Sequence, residues 1–176
     1  MVLVGLMGAG KTCIGQRLAH RLGMEFVDAD AEIEAAADCT VEEIFARFGE
    51  QAFRDGERRV IARLLGEKPR VIATGGGAFS SAETRANVRE KGLSVWLRAD
   101  IDVLLHRVSR RSNRPLLKQG NKRETLERLM TERYPFYAEA DITVDTGSES
   151  PETTVGRVVE ALKRHLDGPG RTAAAE

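Results

Sequence analysis

Short apolar runs separated by longer stretches of helical period predict a three-layer α/β fold, a five-stranded parallel sheet flanked by helices. Three observations carry this reading. The apolar runs at residues 2–4, 25–27, 70–73, 93–97 and 142–144 are short and carry β-branched residues. Each is followed by enough chain for the crossover that parallel strands require. Helix start and stop signals fall between the runs rather than within them.

The elements follow in order. Residues 11–22 read as the first helix because Ile14, Leu18 and Leu22 recur at four-residue spacing and mark one buried face, with Gly23 ending it. Thr40-Val41-Glu42-Glu43 has the Thr-x-x-Glu form of a capping box, so a helix starts near Val41 and turns Ile44 and Phe48 inward. Ser150-Pro151 supplies a cap and a first-turn proline for a last helix that buries Val155, Val158, Val159 and Leu162. From Asp167 the sequence turns to Gly, Pro and Ala. Residues 1–166 therefore read as one domain and 167–176 as a disordered tail.

Composition excludes several classes. The 176 residues balance 27 Lys and Arg against 27 Asp and Glu, which gives no reason to expect nucleic acid as a partner. With 41% hydrophobic and 31% charged residues the chain can bury a core and still cover its surface, so neither disorder nor a membrane span is expected. Cys13 and Cys39 form no metal or disulfide pattern, and His20, His106 and His165 are scattered. A cytoplasmic monomer is the expectation, since no coiled coil or long exposed apolar stripe announces a partner.

The motif that carries chemistry is Gly5-Leu6-Met7-Gly8-Ala9-Gly10-Lys11-Thr12, which fits G-x-x-x-x-G-K-[ST] between a strand and an amphipathic helix. Its glycines let backbone N–H groups curl toward phosphate oxygens, and the helix N-terminus adds partial positive charge. Gly8, Ala9, Gly10, Lys11, Thr12 and Cys13 are the expected ATP contacts, with Lys11 on the β- and γ-phosphates and Thr12 on Mg²⁺.

The acceptor must be read from the rest of the chain. Asp28-Ala29-Asp30 ends the second strand, where open α/β sheets place their ligands, and the two carboxylates point the same way if the strand persists. One suits Mg²⁺ and the other a hydroxyl and its proton; capping the next helix is the plainer alternative. Arg54 and Glu57, three apart, share a helix face. Gly75-Gly76-Gly77 ends the third strand without side chains, so backbone amides can approach a small polar substrate.

In order and spacing, the 5–12 loop, Asp28-Ala29-Asp30, Phe53-Arg54-Asp55-Gly56-Glu57, Ala73-Thr74-Gly75-Gly76-Gly77, Arg114-Pro115-Leu116-Leu117 and Glu132-Arg133-Tyr134-Pro135-Phe136-Tyr137 resemble the motifs of shikimate kinases. The resemblance runs over about residues 2–159. It implies a P-loop NTPase of the nucleoside monophosphate kinase-like type that transfers a phosphoryl group from ATP to the 3-hydroxyl of shikimate. It also implies Mg²⁺ held by Thr12 and, through water, Asp28; Asp30 on the substrate hydroxyls and their proton; and Arg54 and Arg133 on the substrate carboxylate. Gly75, Gly76 and Gly77 become backbone donors to the ring, Glu57 orients Arg54, and Arg114 belongs to a lid over ATP spanning about residues 110–123. Guanidinium forks suit a planar carboxylate independently of the resemblance.

Three features depart from the family or stay silent. Cys13 replaces the usual hydroxyl or small residue; it is expected to pack as a small hydrophobe, and its place at a helix N-terminus beside Lys11 predicts alkylation that ATP blocks. The 138–141 link is a residue short, which leaves the adenine contacts near 146–150 unassigned. Trp96 reads as core. Two rivals remain: a gluconate-type kinase sharing the P-loop and lid, and a nucleotide-dependent switch, for which no guanine-reading NKxD motif occurs.

Overall fold

The computed structural model describes residues 1–109 and 121–168. The order is β1 (Val2–Val4), α1 (Lys11–Leu22), β2 (Glu25–Asp28), α2 (Ala29–Ala37), α3 (Val41–Gly66), β3 (Arg70–Ala73), a 3-10 turn (Ala78–Ser80), α4 (Ala82–Lys91), β4 (Ser94–Arg98), α5 (Ile101–Ser109), α6 (Lys122–Tyr137), β5 (Ile142–Asp145) and α7 (Pro151–Asp167). The five strands are all parallel, in the order β2-β3-β1-β4-β5. Every residue of β1 and β3 is buried, which requires helices over both faces of the sheet. At the edge, β5 alternates buried Ile142 and Val144 with exposed Thr143 and Asp145.

Local signals account for most boundaries. Thr40 and Glu43 form the reciprocal capping box at the start of α3, and Ser150 caps α7 with Pro151 in its first turn. Gly23 closes α1 with φ 64°. Gly15, in the middle of α1, lets the helix settle onto β2: a Cβ there would stand 2.5 Å from the Phe26 ring.

Several expectations are corrected. Ile14 and Leu18 are buried, but Leu22 is 37% exposed, because four-residue spacing drifts about 40° around a helix at each step and carries the third member off the core. In α3 Ile44 is buried and Phe48 is 58% exposed; the helical path breaks directly after it at Gly49 (φ 82°), and the Arg47 guanidinium lies over its ring. Val155, Val158 and Leu162 are buried and Val159 is half-buried. α7 continues through Asp167, which moves the expected tail boundary by one residue, and residues 169–176 lie outside the described residues. So do residues 110–120 of the expected lid, Arg114 included, while Asn121 caps α6 and Lys122 and Arg123 begin it.

All five strands release the chain at the same edge of the sheet. Gly5, Asp28, Thr74, Ala99 and Thr146 stand at or just beyond those ends, so residues far apart in sequence meet there. Among the described residues no helix is long and apolar enough to cross a membrane.

Candidate active site

The loop after β1 is shaped by its glycines. Gly5, Gly8 and Gly10 take φ of 138°, 85° and 97°, conformations that residues with a Cβ rarely adopt. A Cβ on Gly5 would also lie 2.6 Å from the Leu97 carbonyl oxygen. Gly10 sits at the N-cap of α1 with no side-chain cap, which leaves the helix N-terminus turned to the cavity for an anionic ligand. Lys11 is not idle in the absence of phosphate: its Nζ donates to the carbonyls of Gly5 (2.7 Å) and Leu6 (3.0 Å), which holds the ammonium over the loop.

The pair of aspartates is built differently from the expectation that the strand persists. β2 stops at Asp28 and α2 begins at Ala29, so Asp28 is the N-cap and its Oδ1 accepts from the Asp30 N–H at 3.1 Å. Its other oxygen, Oδ2, accepts from the Thr12 hydroxyl at 2.8 Å. The capping alternative is therefore met by Asp28, and the same carboxylate reaches Thr12. Among the described residues no cluster of three or more His, Cys, Asp or Glu gathers, and the oxygen pair of Thr12 and Asp28 suits Mg²⁺, which keeps waters and takes phosphate oxygens for its remaining positions.

One cavity of 390 Å³ joins this loop to the strand ends. Gly8, Ala9, Gly10, Lys11, Thr12, Cys13, Asp28, Asp30, Gly75 and Gly76 all line it. Its other wall is Arg107, Val108, Thr146, Glu149, Pro151 and Thr154. Arg107 bridges the two sides, donating to the carbonyls of Gly8 (3.2 Å) and Gly147 and to the Thr146 hydroxyl. Glu149 in turn accepts from the Gly147 N–H (3.0 Å) and from Arg157 (2.7 Å). Sequence reasoning did not find Arg107, because its partners are 39 to 99 positions away and no local motif marks it. Cys13 is half-buried with the Arg17 Nη1 at 3.1 Å from its Sγ, a polar neighbour that a purely hydrophobic role would lack.

Beyond Gly75 the cavity meets a cluster of charge. Glu57 is 2% exposed, and its Oε2 accepts from Arg54 Nη1 at 2.8 Å. Burial pushes the Glu57 carboxyl above its ordinary range; Arg54 opposes that and the nearby Asp30 adds to it. Burial works against the Arg54 charge too, but Glu57 and Glu50 outweigh it and hold the guanidinium above its usual value. The spacing of Arg54 and Glu57 on one helix face is as the sequence predicts.

The three glycines are what allow this cluster to close. A Cβ on Gly75 would stand 2.6 Å from Glu57 Oε1 and 2.9 Å from Asp30 Oδ1. One on Gly76 would stand 3.3 Å from Arg133 Nη1, and one on Gly77 would run into the Arg54 guanidinium, 2.5 Å from Nη2. Asp30 from α2, Arg54 and Glu57 from α3 and Arg133 from α6 thus converge on one backbone segment. Sequence reasoning assigned the glycines to close approach by a substrate; the structure adds that protein side chains already occupy the space of the missing Cβ atoms. Behind them Trp96, Tyr134 and Tyr137 stack with ring centroids 4.9 to 6.1 Å apart, and Trp96 is core, as expected.

Comparison with known proteins points the same way. A family model described as shikimate kinase matches residues 7–163. A shikimate kinase of Paramagnetospirillum magneticum is 60% identical over 167 residues, covering 95% of this chain and 86% of the relative, and one of Caulobacter vibrioides is 56% identical over 93% of this chain and 82% of the relative. Among solved structures, the shikimate kinase of Acinetobacter baumannii in complex with shikimate superposes with a TM-score of 0.90 at 37% identity, over 95% of this chain and 94% of that one. A gluconokinase of Sinorhizobium meliloti, at 18% identity and a TM-score of 0.61, shares the fold alone. With the 5–12 loop, Asp28, Asp30, Gly75 and Gly76 at one cavity and this likeness running nearly end to end, the chain belongs to the shikimate kinase family.

Proposed function

We propose that the chain transfers the γ-phosphoryl group of ATP to the 3-hydroxyl of shikimate, giving shikimate 3-phosphate on the route to chorismate and the aromatic amino acids. The observation that carries this is a cavity that joins a phosphate-binding helix N-terminus to Asp30, Gly75 and Gly76, with Arg133 packed close to Gly76 and Arg54 close to the neighbouring Gly77. A small anion with one carboxylate and several hydroxyls fits that second half: Arg54 and Arg133 take the carboxylate, and the amides of Gly75, Gly76 and Gly77 are within the same wall.

The chain's residues divide the chemistry. Gly8, Ala9, Gly10 and Lys11 hold the phosphates, with Cys13 and Arg107 along the same wall, and Thr12 and Asp28 hold Mg²⁺, which supplies charge neutralisation at the transferred group when bound. Lys11 leaves its loop carbonyls to meet the charge that builds on the phosphoryl oxygens. As the substrate oxygen bonds to phosphorus and the bond to the leaving diphosphate breaks, the hydroxyl proton passes to Asp30. Glu57 keeps Arg54 in place through a buried ion pair. The expected lid arginine, Arg114, lies outside the described residues and retains its role over ATP as part of this proposal.

The test is ADP release from ATP and Mg²⁺ with shikimate, with gluconate and with no acceptor. Strong stimulation by shikimate alone is the expected result. Equal rates with and without shikimate would overturn the acceptor, and stimulation by gluconate would favour the rival kinase reading.

A further inference from the structure

Tyr137 is absent from the chemistry above, yet it is the largest fully buried side chain of the described residues, 0% exposed, and it lies directly behind the substrate wall. Its hydroxyl donates to the Gly76 carbonyl across 61 positions of sequence. The Arg133 guanidinium, one helical turn earlier on α6, approaches the same glycine: a Cβ on Gly76 would stand 3.3 Å from its Nη1. Burial pushes this phenol well above its ordinary range, against the pull of Arg133. The Tyr137 hydroxyl therefore meets the glycine run where an expected carboxylate ligand also approaches it.

The geometry of a peptide unit gives this tie a consequence. The Gly76 carbonyl and the Gly77 N–H belong to one planar trans unit and point in opposite directions, so a donor that fixes the first aims the second. Among the described residues the amides of Gly75, Gly76 and Gly77 donate to no backbone carbonyl. Glycines have no side chain to hold them in one conformation, and an unclamped run samples many. The next turn is fixed separately, by Arg85 donating to the carbonyls of Phe79 and Ser80 at 2.9 Å each. Within the run the Gly75 carbonyl accepts from the Ala78 N–H (3.2 Å) and the Gly77 carbonyl from the Ser80 N–H (3.1 Å), while the Gly76 carbonyl between them takes its hydrogen bond from Tyr137.

We infer that Tyr137 is a positioning residue for the acceptor: its hydroxyl holds the Gly76–Gly77 peptide and Arg133 in the arrangement that receives shikimate, and it has no part in binding ATP. This rests on the reading of the glycine wall as the shikimate site. A merely structural hydroxyl would lower stability and weaken both ligands together. A positioning one separates them.

The experiment uses the intact protein and its Tyr137→Phe and Tyr134→Phe variants, with shikimate and ATP affinities measured by calorimetry and steady-state kinetics for each. In Tyr137→Phe the shikimate KM and Kd are expected to rise about tenfold, with the ATP KM and kcat within twofold of the unaltered protein. Tyr134→Phe, whose hydroxyl donates instead to the Ala99 carbonyl at 2.9 Å, is the matched control and is expected to leave shikimate affinity within twofold. A shikimate affinity unchanged in Tyr137→Phe, or an equal loss for both ligands, overturns the inference. A second measurement needs no stable variant at position 137. The chain has 2 tyrosines, so labelling the tyrosine ζ carbon gives two NMR signals, assigned by Tyr134→Phe. Shikimate is expected to shift the Tyr137 signal while the Tyr134 signal stays; a Tyr137 signal unmoved at saturating shikimate overturns the inference. If the unaltered protein fails to phosphorylate shikimate, the acceptor reading falls first, and that failure is distinct from either result.

Discussion

The phosphate loop draws its groups from eight consecutive residues, Gly5 to Thr12, whereas the acceptor wall draws its groups from α2, α3, the turn after β3 and α6. In the loop the groups presented are backbone amides, and the structural requirement is a backbone conformation: three positive φ values and a helix start without a side-chain cap. In the wall the groups gathered are side chains carrying charge, and the requirement is space. Glycine answers both demands for different reasons, freedom of φ in the first and the missing Cβ in the second. A motif of the first kind survives translation into a sequence pattern, because it is contiguous. A motif of the second kind shows only as isolated fragments.

This difference predicts separable failures, the largest at the loop. Lys11→Ala is expected to lower kcat by about 10³-fold, since it removes the charge that meets the transferring group, while shikimate binding measured by calorimetry stays within a few-fold. A comparable loss of shikimate affinity would mean the two regions are not independent. Asp30→Asn lies at the boundary between them. It is expected to cost about 10²-fold in kcat, read in single-turnover assays, with the KM for ATP nearly unchanged.

Within the wall, Gly77→Ala tests space alone. Its methyl would displace the Arg54 guanidinium, so the shikimate KM is expected to rise about tenfold while the ATP KM holds; equal changes in both would show that the turn supports the phosphate loop as well. The smallest effect is electrostatic. Burial raises the folded-state pKa of Glu57 above the ordinary carboxylate value of 4.5, so the folded protein holds that proton more tightly than the unfolded chain. Stability is therefore expected to decline as pH rises from about 4.5 through the folded value. Glu57→Gln is expected to flatten that slope in thermal or urea unfolding across pH 4–8, and a slope identical to the unaltered protein would place the titration elsewhere.

The boundaries that the sequence made legible are those set by neighbours within a few residues. The capping box at Thr40 and Glu43, the Ser150 cap and its proline, and the glycine loop all act over one helical turn, and each is where the pattern puts it. Leu22 and Phe48 went astray because a spacing rule ignores the drift of the stripe and the break at Gly49. The condition that β2 persist through Asp30 fails because Asp28 caps α2, the alternative that the sequence left open and that a strand pattern does not price. Arg107 carried no signal at all, and Tyr137 only its place in the 132–137 motif with no role attached: each makes its defining contacts more than 35 positions away.

By itself the sequence determined the sheet, the phosphate loop and the family, since a parallel sheet needs only the alternation of apolar runs with crossover helices and a phosphate loop only contiguous glycines. The tertiary structure decided which side chains gather at the Gly75–Gly77 turn. Which oxygens and guanidinium groups face the Gly75–Gly77 backbone depends on how α2, α3 and α6 pack around the ends of β2 and β3, and the packing of a buried carboxylate against an arginine is fixed by desolvation and by the absence of a Cβ, neither of which is written at any one position.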